Sequence, residues 1–139
     1  MQEIVIFGSG DIAQIAHYYF KIDSNYKVVA FTVDRSYIKD QEFEGLSVVP
    51  FDEMLSKYPP DKYKLFIAVS YANLNKVREQ KYYEAKKMGY ELVSYVSYKC
   101  SYLTPYQHGD NCFIFEDNTI QPFVKIGNNV TLWSGNHIR

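Results

Sequence analysis

Only two cysteines, Cys100 and Cys112, occur in the 139 residues. Two are too few for a disulfide framework, and neither has the paired spacing or nearby histidines of a zinc site, so they read as small, reduced core residues. Neither sign of charge dominates: 15 basic residues face 16 acidic ones for a net charge of -1. No large single-sign field is therefore available to hold nucleic acid or an anionic membrane surface. Long apolar runs are also missing. Ile4-Val5-Ile6-Phe7 and Leu65-Phe66-Ile67-Ala68-Val69 fall far short of the roughly 18 to 20 residues that span a bilayer. Met1-Gln2-Glu3 lacks the basic start of a signal peptide. These absences exclude nucleic-acid and membrane partners and a metal centre, and they predict a soluble, cytoplasmic protein. What the chain has in quantity is aromatic: 14 tyrosines and 9 phenylalanines, which suit packing, a subunit interface or base stacking alike.

The first segment, Glu3 to Phe7, is an unbroken β-favouring run that ends in Gly8-Ser9-Gly10-Asp11. Ile12, Ala13, Ile15, Ala16, Tyr19 and Phe20 then recur at helical spacing. After the turn at Asp23-Ser24-Asn25, Tyr26 to Val33 reads as a second buried strand, closed by Asp34-Arg35. The stretch from Ser36 to Gly45 is irregular and polar, Leu46 to Val49 is a short strand, and Pro50 opens a helix that runs to about Tyr58, stopped by Pro59-Pro60. A strand at Lys64 to Val69, a polar loop, a helix from Leu74 to Met88 ended by Gly89, and a strand from Tyr90 to Val96 follow. Strands alternating with helices at these lengths predict a Rossmann-like parallel sheet over residues 1–95.

From Val96 the helical period disappears. Counting in sixes from Gly109, every sixth residue is aliphatic: Ile114, Ile120, Ile126, Leu132 and Ile138. Two places before each stands Cys112, Asn118, Val124, Val130 or Asn136, and Gly127-Asn128-Asn129 supplies turns that tolerate positive φ. A period of six suits a β-solenoid whose flat sides each donate one aliphatic side chain to a narrow axis. A β-meander with Asn/Gly turns would not keep so strict a register. The expectation is an α/β fold: a Rossmann-like domain over 1–95, then the first coils of a left-handed parallel β-helix over 96–139. Five hexads leave such a solenoid incomplete, so the chain is expected to be the N-terminal part of an enzyme of about 200 or more residues.

Gly8-Ser9-Gly10 after the first strand, Phe66-Ile67-Ala68-Val69-Ser70 in the middle and the hexad tail ending Leu132-Trp133-Ser134-Gly135-Asn136-His137-Ile138 together resemble the bacterial nucleotide-sugar acetyltransferases of surface-glycan synthesis. The bacillosamine, perosamine and sialic-acid-type enzymes belong to that family. The resemblance spans the whole chain in order. It implies an N-terminal domain that holds the nucleotide of a sugar nucleotide, and a β-helix that assembles as a homotrimer and binds acetyl-CoA between neighbouring prisms.

Glycines that let the backbone approach a pyrophosphate and a helix start with free N–H groups fit such a substrate. Gly8, Ser9, Gly10 and Asp11 are the candidate residues there. Asp34, with Arg35 beside it, stands at the end of strand two, where a carboxylate can accept from a ribose or a base edge. Ser70, Tyr71 and Asn73 follow another strand's carboxyl end and complete the candidate nucleotide pocket. Where family members often carry Gly-His-Ala in the first turn, this chain has Asp11-Ile12-Ala13.

Acetyl transfer from a thioester needs a base for the attacking amine or hydroxyl and donors for the developing oxyanion. Of the three histidines, His17 reads as a helix-surface or interface residue and His108 as a solvated loop residue. His137 precedes the inward Ile138, points outward, and is the candidate catalytic residue in this chain. The family's register, however, places its base two positions after Ile138, beyond Arg139. Two other readings stay open: a non-catalytic nucleotide-sugar-binding module, and an NAD-dependent reductase domain suggested by Gly8-x-Gly10-x-x-Ala13 with Asp34.

Overall fold

The computed structural model describes residues 1–69, 75–135 and 137–138. The architecture is mixed α/β with parallel sheets, and the chain divides into two compact units, Met1–Leu92 and Val93–Arg139.

In the first unit, β1 (Gln2–Phe7) leads through α1 (Asp11–Ile22) to β2 (Tyr26–Val33). A 3-10 turn (Arg35–Tyr37), the strands β3 (Glu42–Phe43) and β4 (Leu46–Pro50), a second 3-10 turn (Phe51–Glu53) and the short α2 (Met54–Lys57) come next. Then follow β5 (Lys64–Ile67) and α3 (Asn75–Lys87). The strand order is β3-β4-β2-β1-β5, and only β3 runs antiparallel to its neighbour.

Central β1 is covered on both faces, with Ile4, Val5 and Ile6 fully buried, as a parallel strand between helical layers should be. On one face Val5, Phe7, Ala30, Leu65 and Ile67 pack with Met54 of α2 and with Tyr82 and Ala85 of α3. Turned towards α1 instead are Phe66, edge-to-face with Phe20 at 5.0 Å, and Phe31, edge-to-face with His17 at 5.5 Å. α1 forms because Ala13, Ala16 and Phe20 make one buried stripe while Asp11 and Lys21 sit at the favourable ends of its dipole.

Since β2 lies on one side of β1 and β5 on the other, the connections leave β1 in opposite directions. The carboxyl ends of β1 and β5 are therefore a topological switch point, the place in an open parallel sheet where a crevice forms.

Three local expectations are corrected. The helix expected from Phe51 to Tyr58 is a 3-10 turn followed by a single α turn, because Pro50 and Pro59 leave too little chain for more. The irregular stretch before Gly45 contains a hairpin, turned by Glu44 and Gly45 at φ 53° and 77°. Positive φ at both central residues is what a tight hairpin turn with the sheet's twist requires. The strand expected from Tyr90 to Val96 is divided. Leu92 bridges Leu65 of the first unit, whereas β6 (Tyr95–Val96) pairs with β8 (Phe113–Ile114) in the second.

The second unit is a stack of two-residue strands. With β7 (Ser101–Tyr102), β9 (Thr119–Ile120), β10 (Thr131–Leu132) and β11 (His137–Ile138), these build two three-stranded parallel sheets, ordered β10-β8-β6 and β11-β9-β7. Each residue pairs with the one 18 positions later, Tyr95 with Phe113 and Ser101 with Thr119. Three hexads thus make one turn of the chain.

Cys112, Ile114, Ile120 and Ile126 are buried together, with Val124, Val130, Leu132 and Ile138 against them. At the third place of each hexad, Asn111, Asp117, Phe123, Asn129 and Gly135 all have positive φ, so the corner recurs every six residues as strictly as the aliphatic does. Buried Asn118 closes one corner by donating its amide to the carbonyls of Phe115 (2.9 Å) and Leu132 (3.2 Å). Val96 and Tyr102 join the same core, so the winding begins a full turn before Gly109. His108 falls in that register and is half-buried rather than solvated, with Nδ1 2.7 Å from the Gly109 carbonyl oxygen and its ring edge-on to Tyr102.

Candidate functional site

A cleft of about 320 Å³ opens at the switch point of the first unit. Gly8, Ser9, Gly10 and Asp11 form one wall; Phe7, Ile12, Val33, Tyr37, Ala68, Val69 and Val77 complete it.

The two glycines of the turn serve different ends. Gly8 has φ 137°, donates its N–H to the Thr32 carbonyl at 2.9 Å, and leaves no room for a side chain, since a Cβ would lie 2.3 Å from the Ala68 carbonyl oxygen. It is glycine because β1 and β5 meet there. Gly10 is the N-cap of α1 in extended conformation, and a Cβ on it would meet no atom of the described residues within 4 Å. None of the described residues accounts for its missing side chain.

The first helical amides beyond Gly10 have no partner within the helix and point out of its N-terminus, the arrangement that accepts an anion. Asp11 is the first residue of α1, and no side chain caps that end.

Asp34 and Arg35 do not line this cleft. The Asp34 carboxylate accepts from Lys81 Nζ at 2.6 Å, and Lys81, itself only 7% exposed, also reaches Glu84 at 3.2 Å and lies over the Phe51 ring at 4.9 Å. Burial on its own would lower the Lys81 pKa, but the bonds to Asp34 and Glu84 outweigh it and hold the ammonium above its usual value. Arg35 makes a forked contact with Asp52 (3.1 and 2.8 Å) and reaches Glu53 at 2.6 Å. The bonds to Asp52 and Glu53 raise the Arg35 pKa further; Arg35 lowers that of Asp52, and Glu53 is lowered first by its bond from Lys57 and then by Arg35. Arg35 lines a separate recess beside β4.

Ser70, Tyr71 and Asn73 lie outside the described residues. For His137 the described part is its backbone, in β11 opposite Thr119. Sequence reasoning missed Tyr37, which sits 70% exposed on the cleft rim within a stretch that carried no periodic signal. Among the described residues no cluster of three or more His, Cys, Asp or Glu can hold a metal, and no helix is long and apolar enough to cross a membrane. Cys100 and Cys112 are not joined in a disulfide; the first is half-buried and the second buried, its Sγ donating to the Gly127 carbonyl at 3.2 Å.

No protein-family model and no curated protein sequence matches the chain. Solved structures do. The acetyltransferase domain of PglB from Neisseria gonorrhoeae superposes with a TM-score of 0.81 at 16% identity, over 99% of this chain and 65% of that one. PerB from Caulobacter crescentus, crystallised with CoA and GDP-perosamine, gives 0.79 at 20% identity over 97% of this chain and 63% of its own. WeeI from Acinetobacter baumannii gives 0.72 at 20%, over 96% and 60%. The chain thus spans under two thirds of the length of these structures. At such identities the fold is what is shared, over nearly the whole of this chain, with structures that include an acetyltransferase domain and a perosamine N-acetyltransferase.

Proposed function

We propose that this chain holds a nucleotide sugar in the cleft at Gly8–Asp11 and belongs to an acetyl-CoA-dependent sugar acetyltransferase. In this reading the first unit is a Rossmann-like substrate domain, the second is the start of a left-handed β-helix, and the whole enzyme is a cytoplasmic homotrimer that acetylates an amino or deoxy sugar carried on a nucleotide. The observation that carries the reading is the cleft itself. It combines a switch-point crevice, helix-start amides that have no partner within the helix, and a glycine, Gly10, that none of the described residues obliges to be one.

The likeness in fold to proteins crystallised with acetyl-CoA, or with CoA and GDP-perosamine, supports the acetyl donor and the substrate class. His137, on β11, is the residue of this chain proposed to stand beside the reacting amine or hydroxyl, where a base must take a proton. A non-catalytic nucleotide-sugar-binding module is the second reading, favoured by the described walls of the cleft all belonging to the first unit. An NAD-dependent reductase fits poorly. The carboxylate that would take a ribose diol, Asp34, is bound to Lys81 and stands off the cleft.

Calorimetry with UDP-, GDP- and dTDP-sugars beside NAD tests the proposal, using Gly10→Asn as the control. Asparagine remains a good N-cap but fills the open space next to the turn. The expected result is binding of at least one sugar nucleotide, lost or weakened by about tenfold in Gly10→Asn through steric conflict worth about 1.4 kcal/mol or more. Binding of NAD with none of any sugar nucleotide would refute it.

A further inference from the structure

The half of the cleft away from the glycine turn is apolar, walled by Val33, Val69 and Val77, and its rim carries the exposed ring of Tyr37. No lysine or arginine lines it among the described residues, and the sequence from Ser70 to Leu74 contains none. Of the cations near these elements, Arg35 pairs with Asp52 and Glu53 and Lys81 with Asp34 and Glu84, while Lys76 and Arg78, on either side of Val77, are not among the described lining residues. The described lining therefore offers a bound nucleotide no cationic side chain, and leaves it backbone amides at one end and an apolar wall for its flat base at the other.

We propose that Tyr37 is the platform on which the nucleobase stacks, an inference that rests on reading the cleft as the nucleotide site. The turn that carries the ring is well held for that purpose. Tyr37 ends the 3-10 turn Arg35–Tyr37, whose backbone is closed by the Tyr37 N–H to the Asp34 carbonyl at 2.8 Å. The Arg35 fork ties the same turn to Asp52 and Glu53. Arg35, an expected nucleotide contact, is by this account a positioning residue that acts through Tyr37. A tyrosine has only two side-chain torsions to fix, so ordering it on binding costs little. Every base has a π face, so such a platform selects for a planar base and tolerates its identity.

The test is titration calorimetry of UDP and GDP into the full chain and into its Tyr37→Ala and Tyr37→Phe variants, with circular dichroism to check folding. Tyr37 is exposed, so neither change disturbs the core. The expected result is a loss of about tenfold or more in affinity for both nucleotides in Tyr37→Ala, the scale of one stacked base. Tyr37→Phe, which keeps the ring, should stay within about twofold of the wild type. Wild-type binding that Tyr37→Ala leaves unchanged overturns the platform and spares the cleft. Equal losses in Tyr37→Phe and Tyr37→Ala also overturn it, because the hydroxyl and not the ring would then be the contact. Failure of the wild type to bind either nucleotide overturns the cleft reading and the platform together.

Discussion

Gly8 and Phe123 both have positive φ, and they sit on opposite sides of what that conformation permits. At Gly8 the backbone is at φ 137° and the space for a Cβ is already taken by the Ala68 carbonyl. Gly8→Ala therefore combines a disfavoured backbone with a steric clash, and should lower unfolding stability by at least about 2 kcal/mol in chemical denaturation. At Phe123 the left-handed corner, φ 67°, is occupied by an aromatic residue whose side chain is 72% exposed. The two asparagines at equivalent corners, Asn111 and Asn129, show what the position prefers, since a short polar side chain is at ease in that region. Phe123→Asn gives up little packing and relieves the strain, so stability should rise by about 1 kcal/mol. A lower midpoint in the same denaturation would mean that the ring is held by contacts worth more than the strain.

At the scale of elements, the sequence was most legible where one period dominates. The buried stripe of α1, the run of β1 and the aliphatic sixes were all readable, because each follows from a single repeating burial demand. In the first turn of the second unit only the start was readable, from the loss of the helical period at Val96; its hexads were not, because Tyr102 and His108 occupy inward positions that look polar in a list of residues. The β3–β4 hairpin was hidden for a different reason: its turn uses Glu44 where asparagine or glycine would have signalled it.

In the candidate site, the glycine turn was visible as a motif. Asp34 and Arg35 were misplaced because the partners that engage them, Lys81, Asp52 and Glu53, are brought close only by the fold. Helix α1 also carries a titrating group. His17 packs edge-on to Phe31, and burial lowers its pKa more than nearby Glu44 raises it, with Lys21 lowering it further. The folded state thus prefers the neutral imidazole, while the unfolded chain takes up a proton near the ordinary value of 6.5. Proton uptake on unfolding makes stability fall as pH falls. The contribution is complete above 6.5 and is lost as pH drops through the depressed folded value. The melting temperature should decline between about pH 7.5 and about pH 5.5, and decline less in His17→Leu, which keeps an apolar contact with Phe31 and cannot titrate. Equal declines would assign the pH dependence to other groups.

For the molecule as a whole, the division into two compact units allows the candidate cleft and the core of the second unit to be tested apart. Every described residue that lines the cleft lies between Phe7 and Val77, inside the first unit. Ile120 lies in the core of the second, fully buried and in contact with its own apolar cluster. Truncating it to alanine removes three methyl or methylene groups from a core too narrow to collapse around the gap, at a cost of about 2–5 kcal/mol. Because that core is a one-dimensional stack in which each turn rests on its neighbours, the loss should appear as a lower melting transition for the second unit. Nucleoside diphosphate affinity, measured well below that transition, should match the wild type, since no wall of the cleft has moved. A parallel fall in affinity would mean that the site draws on the second unit, and the binding-module reading, which rests on the cleft's confinement to the first, would lose its support.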